Sequence, residues 1–175
     1  MSDPPYPYDR ATSEHVEAIG LVIINWANAG KTLTHVLAQL LGDRLPPLDS
    51  LDGLRLVAVT GMRDRAVAAL IKSIFRLSYG DLADQFDRLL DTLLRDGKRR
   101  DVIAHSYWNK GERPGSIRTW VARPANVFKL DEFDYTAAEL RRLANRIQEK
   151  HIKLVRFLQP LGFFLVPRAS SEKSP

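Results

Sequence analysis

The sequence predicts a mainly α protein, an up-and-down bundle of four to five helices with a β-hairpin inserted around residues 107–130. Three observations carry that expectation. Apolar residues recur in steps of three and four through most of the chain, as in helices that each bury one stripe. The rhythm fails between Tyr107 and Leu130, where Gly111, Pro114, Gly115 and Pro124 separate short β-prone runs. A length of 175 residues, 45% of them hydrophobic, suits one domain with its own core. The expected division is an irregular Pro-rich arm over 1–11, a single helical domain over 12–167 and a disordered tail over 168–175.

The first helix is expected over 14–41, with Val16, Ile19, Ile23, Trp26, Gly30, Leu33, Leu37 and Leu40 on one stripe. Thr12 or Ser13 can cap it, and Glu14 and Glu17 suit the positive end of its dipole. A second helix runs from Asp49 or Ser50 to Leu77, with Leu54, Val57, Met62, Ala66, Leu70, Ile71, Ile74 and Phe75 as its apolar contacts. Gly80 breaks the chain. The third helix begins near Asp81 and turns Leu82, Phe86, Leu89, Leu90 and Leu93 inward, and Gly97 kinks or splits it. The hairpin takes 117–121 and 127–130 as strands. Thr136-Ala137-Ala138-Glu139 is a capping box, opening a last helix whose apolar face is Leu140, Leu143, Ile147, Leu154 and Leu158. Pro160 stops it, and the apolar residues 161–166 should dock on the bundle or on a partner.

With no cysteine, the chain has no disulfide, thiolate nucleophile or cysteine metal site, and a cytoplasmic setting is expected. No apolar run reaches the length of a membrane span and the N-terminus lacks the blocks of a signal peptide, so no membrane association is expected. The net charge of +5 permits a polyanionic partner.

One cluster points to chemistry. Arg100-Asp101-Val102-Ile103-Ala104-His105-Ser106-Tyr107 follows the leucine-periodic third helix. A guanidinium clamps phosphate through parallel charge-assisted hydrogen bonds, and an imidazole moves protons near neutral pH. On an ideal helix Arg100 and His105 lie about 140° apart and flank one edge. Asp101, one turn before His105, can accept a ring N–H and stabilise the imidazolium. Val102, Ile103 and Ala104 can anchor the segment to the core.

Arg100, four residues, His105, one residue and Tyr107, at the end of a bundle helix, resemble the signature of HEPN domains. The resemblance implies an all-helical, commonly dimeric fold, and in many members a metal-independent ribonuclease of a toxin–antitoxin or phage-defence system. It implies that Arg100 and His105 face their counterparts across a homodimer cleft, with Asp101 supporting the site where the family more often has asparagine. In one branch the motif tyrosine is adenylylated by a partner nucleotidyltransferase acting as antitoxin, which makes Tyr107 a possible modification site. The 108–130 insertion has no counterpart in that branch.

The implied reaction is attack of an RNA 2′-hydroxyl on its neighbouring phosphate, with His105 moving the proton and Arg100 binding the developing charge. One imidazole serves poorly as base and acid at once, so two copies in one cleft give the dimer a chemical reason. The plainer alternative is that Arg100 pairs with a neighbouring acid and His105 caps a helix C-terminus, in a non-catalytic interaction or nucleotide-binding module.

Lys98 and Arg99 could lead RNA to the site, as could Arg142, Arg146, Lys153 and Arg156 on the last helix, whose plainer role is a solvated face. Trp108, Trp120 and Tyr107 could stack on bases or pack on the bundle. Gly30-Lys31-Thr32 imitates the end of a P-loop, but Asn25 stands where a glycine is needed and a helix precedes it. His151 falls on the last helix's apolar face and is expected to be a core or interface residue. No metal or cofactor is expected from the spacing of the histidines and acids.

Overall fold

The computed structural model describes residues 13–42, 64–123 and 129–164. The arm over 1–11, Thr12 as a cap, the start of the second helix with Leu54, Val57 and Met62, and the tail over 168–175 lie outside the described residues. Within them the protein is mainly helical, as expected. Helix α1 is Ser13–Gly42, α2 is Asp64–Ser78, α3 is Ala83–Ala104 and α4 is Ala137–Leu158. Between α3 and α4 stand β1 (Tyr107–Lys110), β2 (Ser116–Arg123) and β3 (Lys129–Thr136).

The strands form an antiparallel sheet in the order β1-β2-β3. The expected hairpin is therefore present with a third strand added. Residues 113–116 turn β1 into β2: Ser116 N–H donates to the Arg113 carbonyl at 3.0 Å, Pro114 sets the first central residue, and Gly115 supplies the positive φ of 68°. That is the residue pattern of a type II turn. The register aligns Trp108, Thr119 and Phe133 in one row and Lys110, Ile117 and Tyr135 in the next. Ile117 and Thr119 on this face are buried. The opposite face pairs Arg118 directly with Asp134.

The described chain divides into two compact units. The first holds α1 up to Ala29, α3 from Leu90, the sheet, and α4 up to His151. Here α1 buries His15, Ala18, Val22, Trp26 and Ala29, whereas Val16, Ile23 and Ile24 are exposed, Val16 at 60% and Ile24 at 57%. The expected stripe is thus rotated over this half of the helix. Aliphatic residues lie on both of its faces, and the face with small alanines and Trp26 is the one that packs. Asn25 Nδ2 donates to the Ala144 carbonyl at 3.0 Å and Arg141 pairs with Glu17 at 3.1 Å, tying α1 to α4.

Helix α3 runs unbroken through Gly97, so the expected split is absent. The glycine serves packing: a Cβ there would stand 2.1 Å from the outer edge of the Trp26 indole. The ring lies against the α3 backbone because position 97 has no side chain. The capping box forms as its sequence dictates. Glu139 Oε2 accepts the Thr136 N–H at 2.8 Å, and Thr136 Oγ1 accepts the Glu139 N–H at 3.2 Å.

The second unit holds the remainder of α1, α2, the start of α3, the end of α4 and the following turn. Its centre is aromatic: Phe75 stacks on Phe86 with centroids 4.1 Å apart, and on Tyr79 at 4.7 Å. Phe163, from the apolar segment after Pro160, is buried against Phe75 and Tyr79. Over residues 161–164 that segment docks on its own chain. Arg76 closes the α2–α3 turn through Asp87 at 2.9 Å and Asp84 at 3.5 Å.

Candidate active site

The motif occupies the C-terminal end of α3, within the first unit. Asp101 C=O accepts the His105 N–H at 3.1 Å and Val102 C=O accepts the Ser106 hydroxyl, so the last turn satisfies carbonyls that would otherwise be orphaned. Ile103 is buried and anchors the turn, while His105 is exposed just past the helix end.

Arg100 is held from two sides. Its guanidinium lies over the Trp26 ring, 5.3 Å from the centroid, and its Nη1 pairs with Asp101 Oδ1 at 3.0 Å. Only 20% of the side chain is exposed. Gly97, Trp26 and Arg100 form a chain of support: the glycine admits the indole, and the indole carries the guanidinium. Asp101 thus orients Arg100. Among the described residues it makes no hydrogen bond to the His105 ring, the partner its spacing allowed.

A groove of about 260 Å³ lies beside the motif in the same unit, lined by Arg99, Asp134, Tyr135, Glu139, Arg142, Leu143 and Arg146. Its two carboxylates are spoken for. Asp134 accepts from Arg118 Nε at 2.8 Å and from the Glu112 N–H at 2.9 Å; the guanidinium chiefly, helped by the backbone donors and opposed by burial, holds its carboxyl at about 2. Glu139 takes a bidentate grip from Arg113 at 2.8 and 3.0 Å besides its capping bonds, and Arg113 chiefly holds it at about 2. Both stay ionised and neutralised. The arginines are less engaged: among the described residues Arg99 and Arg142 have no carboxylate within ion-pair distance. Arg146 stands 3.6 Å from Asp96, which Lys150 approaches more closely at 2.5 Å.

The sequence-predicted residues divide accordingly. Arg99 lines the groove, and Lys98 is exposed without lining it. Arg142 and Arg146 join Arg99 there, while Lys153 and Arg156 belong to the second unit and are exposed. The Tyr107 and Trp120 side chains lie outside the described residues. Trp108 packs edge-on to Tyr135 with centroids 6.2 Å apart, the packing alternative. Gly30, Lys31 and Thr32 sit inside continuous α1, so no phosphate-cradling loop exists there. His151 is half-buried, and burial pushes its pKa below the ordinary histidine value. Among the described residues, no three acids or histidines cluster closely enough to hold a metal ion, and no helix is long and apolar enough to cross a membrane.

Sequence reasoning missed Trp26 as the support of Arg100 and Tyr135 as a groove wall. Trp26 carried only its place in an apolar stripe, and Tyr135 lay beyond the expected hairpin. No family model, curated protein or solved structure matches the chain.

Proposed function

We propose that this protein is a metal-independent endoribonuclease of HEPN type, acting as a homodimer in a toxin–antitoxin or phage-defence setting. The observation that carries the reading is a solvent-open imidazole, His105, at the same helix end as a guanidinium, Arg100, that an indole and a carboxylate hold in place. In the reaction His105 takes the proton of an RNA 2′-hydroxyl as its oxygen bonds to the adjacent phosphorus. The P–O5′ bond breaks, and the His105 of a second copy, entering as imidazolium, protonates the departing 5′-oxygen. Arg100 binds the extra negative charge on the five-coordinate phosphorus, and acid–base help of this kind contributes about 10²–10⁴-fold. Exposed Val16, Ile23 and Ile24 on α1 give the first unit an apolar face that supports pairing with a second copy. Tyr107, at the motif's end, is the candidate site for nucleotide transfer by an antitoxin partner.

The test is incubation of wild type, Arg100→Ala and His105→Ala with structured RNA in EDTA. Cleavage by the wild type and loss in both variants is expected. Activity that survives both substitutions points to a contaminant.

A second reading is favoured by the Arg100–Asp101 ion pair, the arrangement expected of a non-catalytic nucleotide-binding or interaction module. Wild type that binds RNA and leaves it intact in the same experiment selects that reading.

A further inference from the structure

We propose that the groove between the end of α3, β3 and α4 is a subsite for one phosphodiester of single-stranded RNA, gripped by Arg99 and Arg142, with Arg146 also in its wall. Three lines of chemistry converge on this. The first is charge availability. Asp134 and Glu139 line the groove but are occupied by Arg118 and Arg113, whereas Arg99 and Arg142 face it without a carboxylate partner among the described residues. Guanidinium forks match phosphate oxygens in pairs.

The second is size. At about 260 Å³ the groove is smaller than the ~300–1,000 Å³ of pockets that enclose drug-sized ligands. A phosphate group with its ester arms fits that volume. The third is continuity with the motif. Arg99 lines the groove and immediately precedes Arg100 in α3, so the groove adjoins the motif along the helix, the two side chains leaving it about 100° apart. The choice of RNA as the polymer rests on the ribonuclease reading. The existence of the anion site rests on the groove alone.

Binding is tested without cleavage, using full-length protein carrying His105→Ala and a fluorescein-labelled single-stranded RNA in anisotropy titrations at several salt concentrations. Arg99→Ala and Arg142→Ala should each weaken binding about tenfold, the scale of a lost charged hydrogen bond, and flatten the slope of log K against log salt by about 0.7. Arg88→Ala, exposed and outside the groove, should leave both unchanged. Circular dichroism melts confirm that each variant is folded. No RNA binding by the parent protein, or binding and slope untouched in the Arg99→Ala/Arg142→Ala double variant, overturns the subsite. So does displacement of the RNA by an acidic peptide of equal charge at equal concentration. If arginine-dependent binding persists while wild type never cleaves RNA, the ribonuclease reading fails and the groove stands.

Discussion

Gly97→Ala isolates the link between sequence and site, because simple helix propensity and packing predict opposite signs for it. In an open helical position, replacing glycine by alanine stabilises by about 0.8–1.0 kcal/mol. Gly20 and Gly30 are such positions in α1, since a Cβ at either meets nothing within 4 Å. At Gly97 the added carbon would stand 2.1 Å from the nearest Trp26 atom and 2.6 Å from two more. The indole is buried and has little room to retreat, and overpacking of this kind costs about 1–3 kcal/mol. Taking about 2–3 kcal/mol for so short an approach, Gly97→Ala should lose about 1–2 kcal/mol net, while Gly30→Ala gains up to about 1. For a chain of this size 1 kcal/mol shifts Tm by about 2–4 °C, so the two variants should melt roughly 5–10 °C apart. Urea unfolding with unchanged m-values is the second readout. Replacing Trp26 by Leu in the Gly97→Ala background should make the alanine cheaper than it is beside tryptophan. A Gly97→Ala protein as stable as Gly30→Ala would refute the packing argument, and with it the claim that Gly97 sets the seat of Arg100.

Asp134 and Glu139 have folded-state pKa values near 2, below their ordinary 3.8 and 4.5. The unfolded chain therefore binds more protons in that interval. Their contribution to stability should be complete above about pH 5 and fade as pH falls toward 2, and urea midpoints over that range should decline less steeply in Glu139→Gln. Thr119 Oγ1 is buried and has no hydrogen-bond partner among the described residues, so Thr119→Val should raise stability by about 1 kcal/mol in the same denaturation assay. A loss of similar size would mean that the hydroxyl is satisfied. The proposed homodimer predicts a dimer mass for the wild type by light scattering, and Ile24→Glu, which places a charge on the exposed aliphatic face of α1, should lower it to the monomer with little change in Tm. A monomeric wild type would refute the pairing, and an unchanged dimer in the variant would put the interface elsewhere.

The parts of the fold that depend on near neighbours were legible. Thr136 and Glu139 are three residues apart and make the expected reciprocal bonds. Pro114 and Gly115 announce a turn through their own backbone preferences. Strand β3 was shortened because Asp131, Glu132 and Asp134 do not read as a strand in isolation. Arg118, across the sheet, pairs with Glu132 and Asp134 and neutralises them. Over the first half of α1, periodicity put Val16 and Ile23 on the buried stripe, yet both are exposed, because the choice of face belongs to α4, which supplies the Ala144 carbonyl to Asn25. The motif stood out in the sequence, but its mounting did not. Trp26 and Gly97 meet across the fold, so spacing along the chain carries no trace of their contact. The same holds for Arg99 and Arg142: both stood out as basic, and only the fold brings them to one groove.

The most direct measurement is the chemistry of the cut ends. RNA with a single 2′-deoxy substitution at a mapped cleavage position is incubated with the wild type in EDTA beside the all-ribose strand, and the products are weighed by mass spectrometry. Attack by the 2′-hydroxyl, with His105 moving the proton, predicts a 2′,3′-cyclic phosphate and a 5′-hydroxyl on the ribose strand. It also predicts no cut at the deoxy position, and none on either strand with His105→Ala. Cleavage at the deoxy position, ends bearing a 5′-phosphate, or undiminished products from His105→Ala would contradict it.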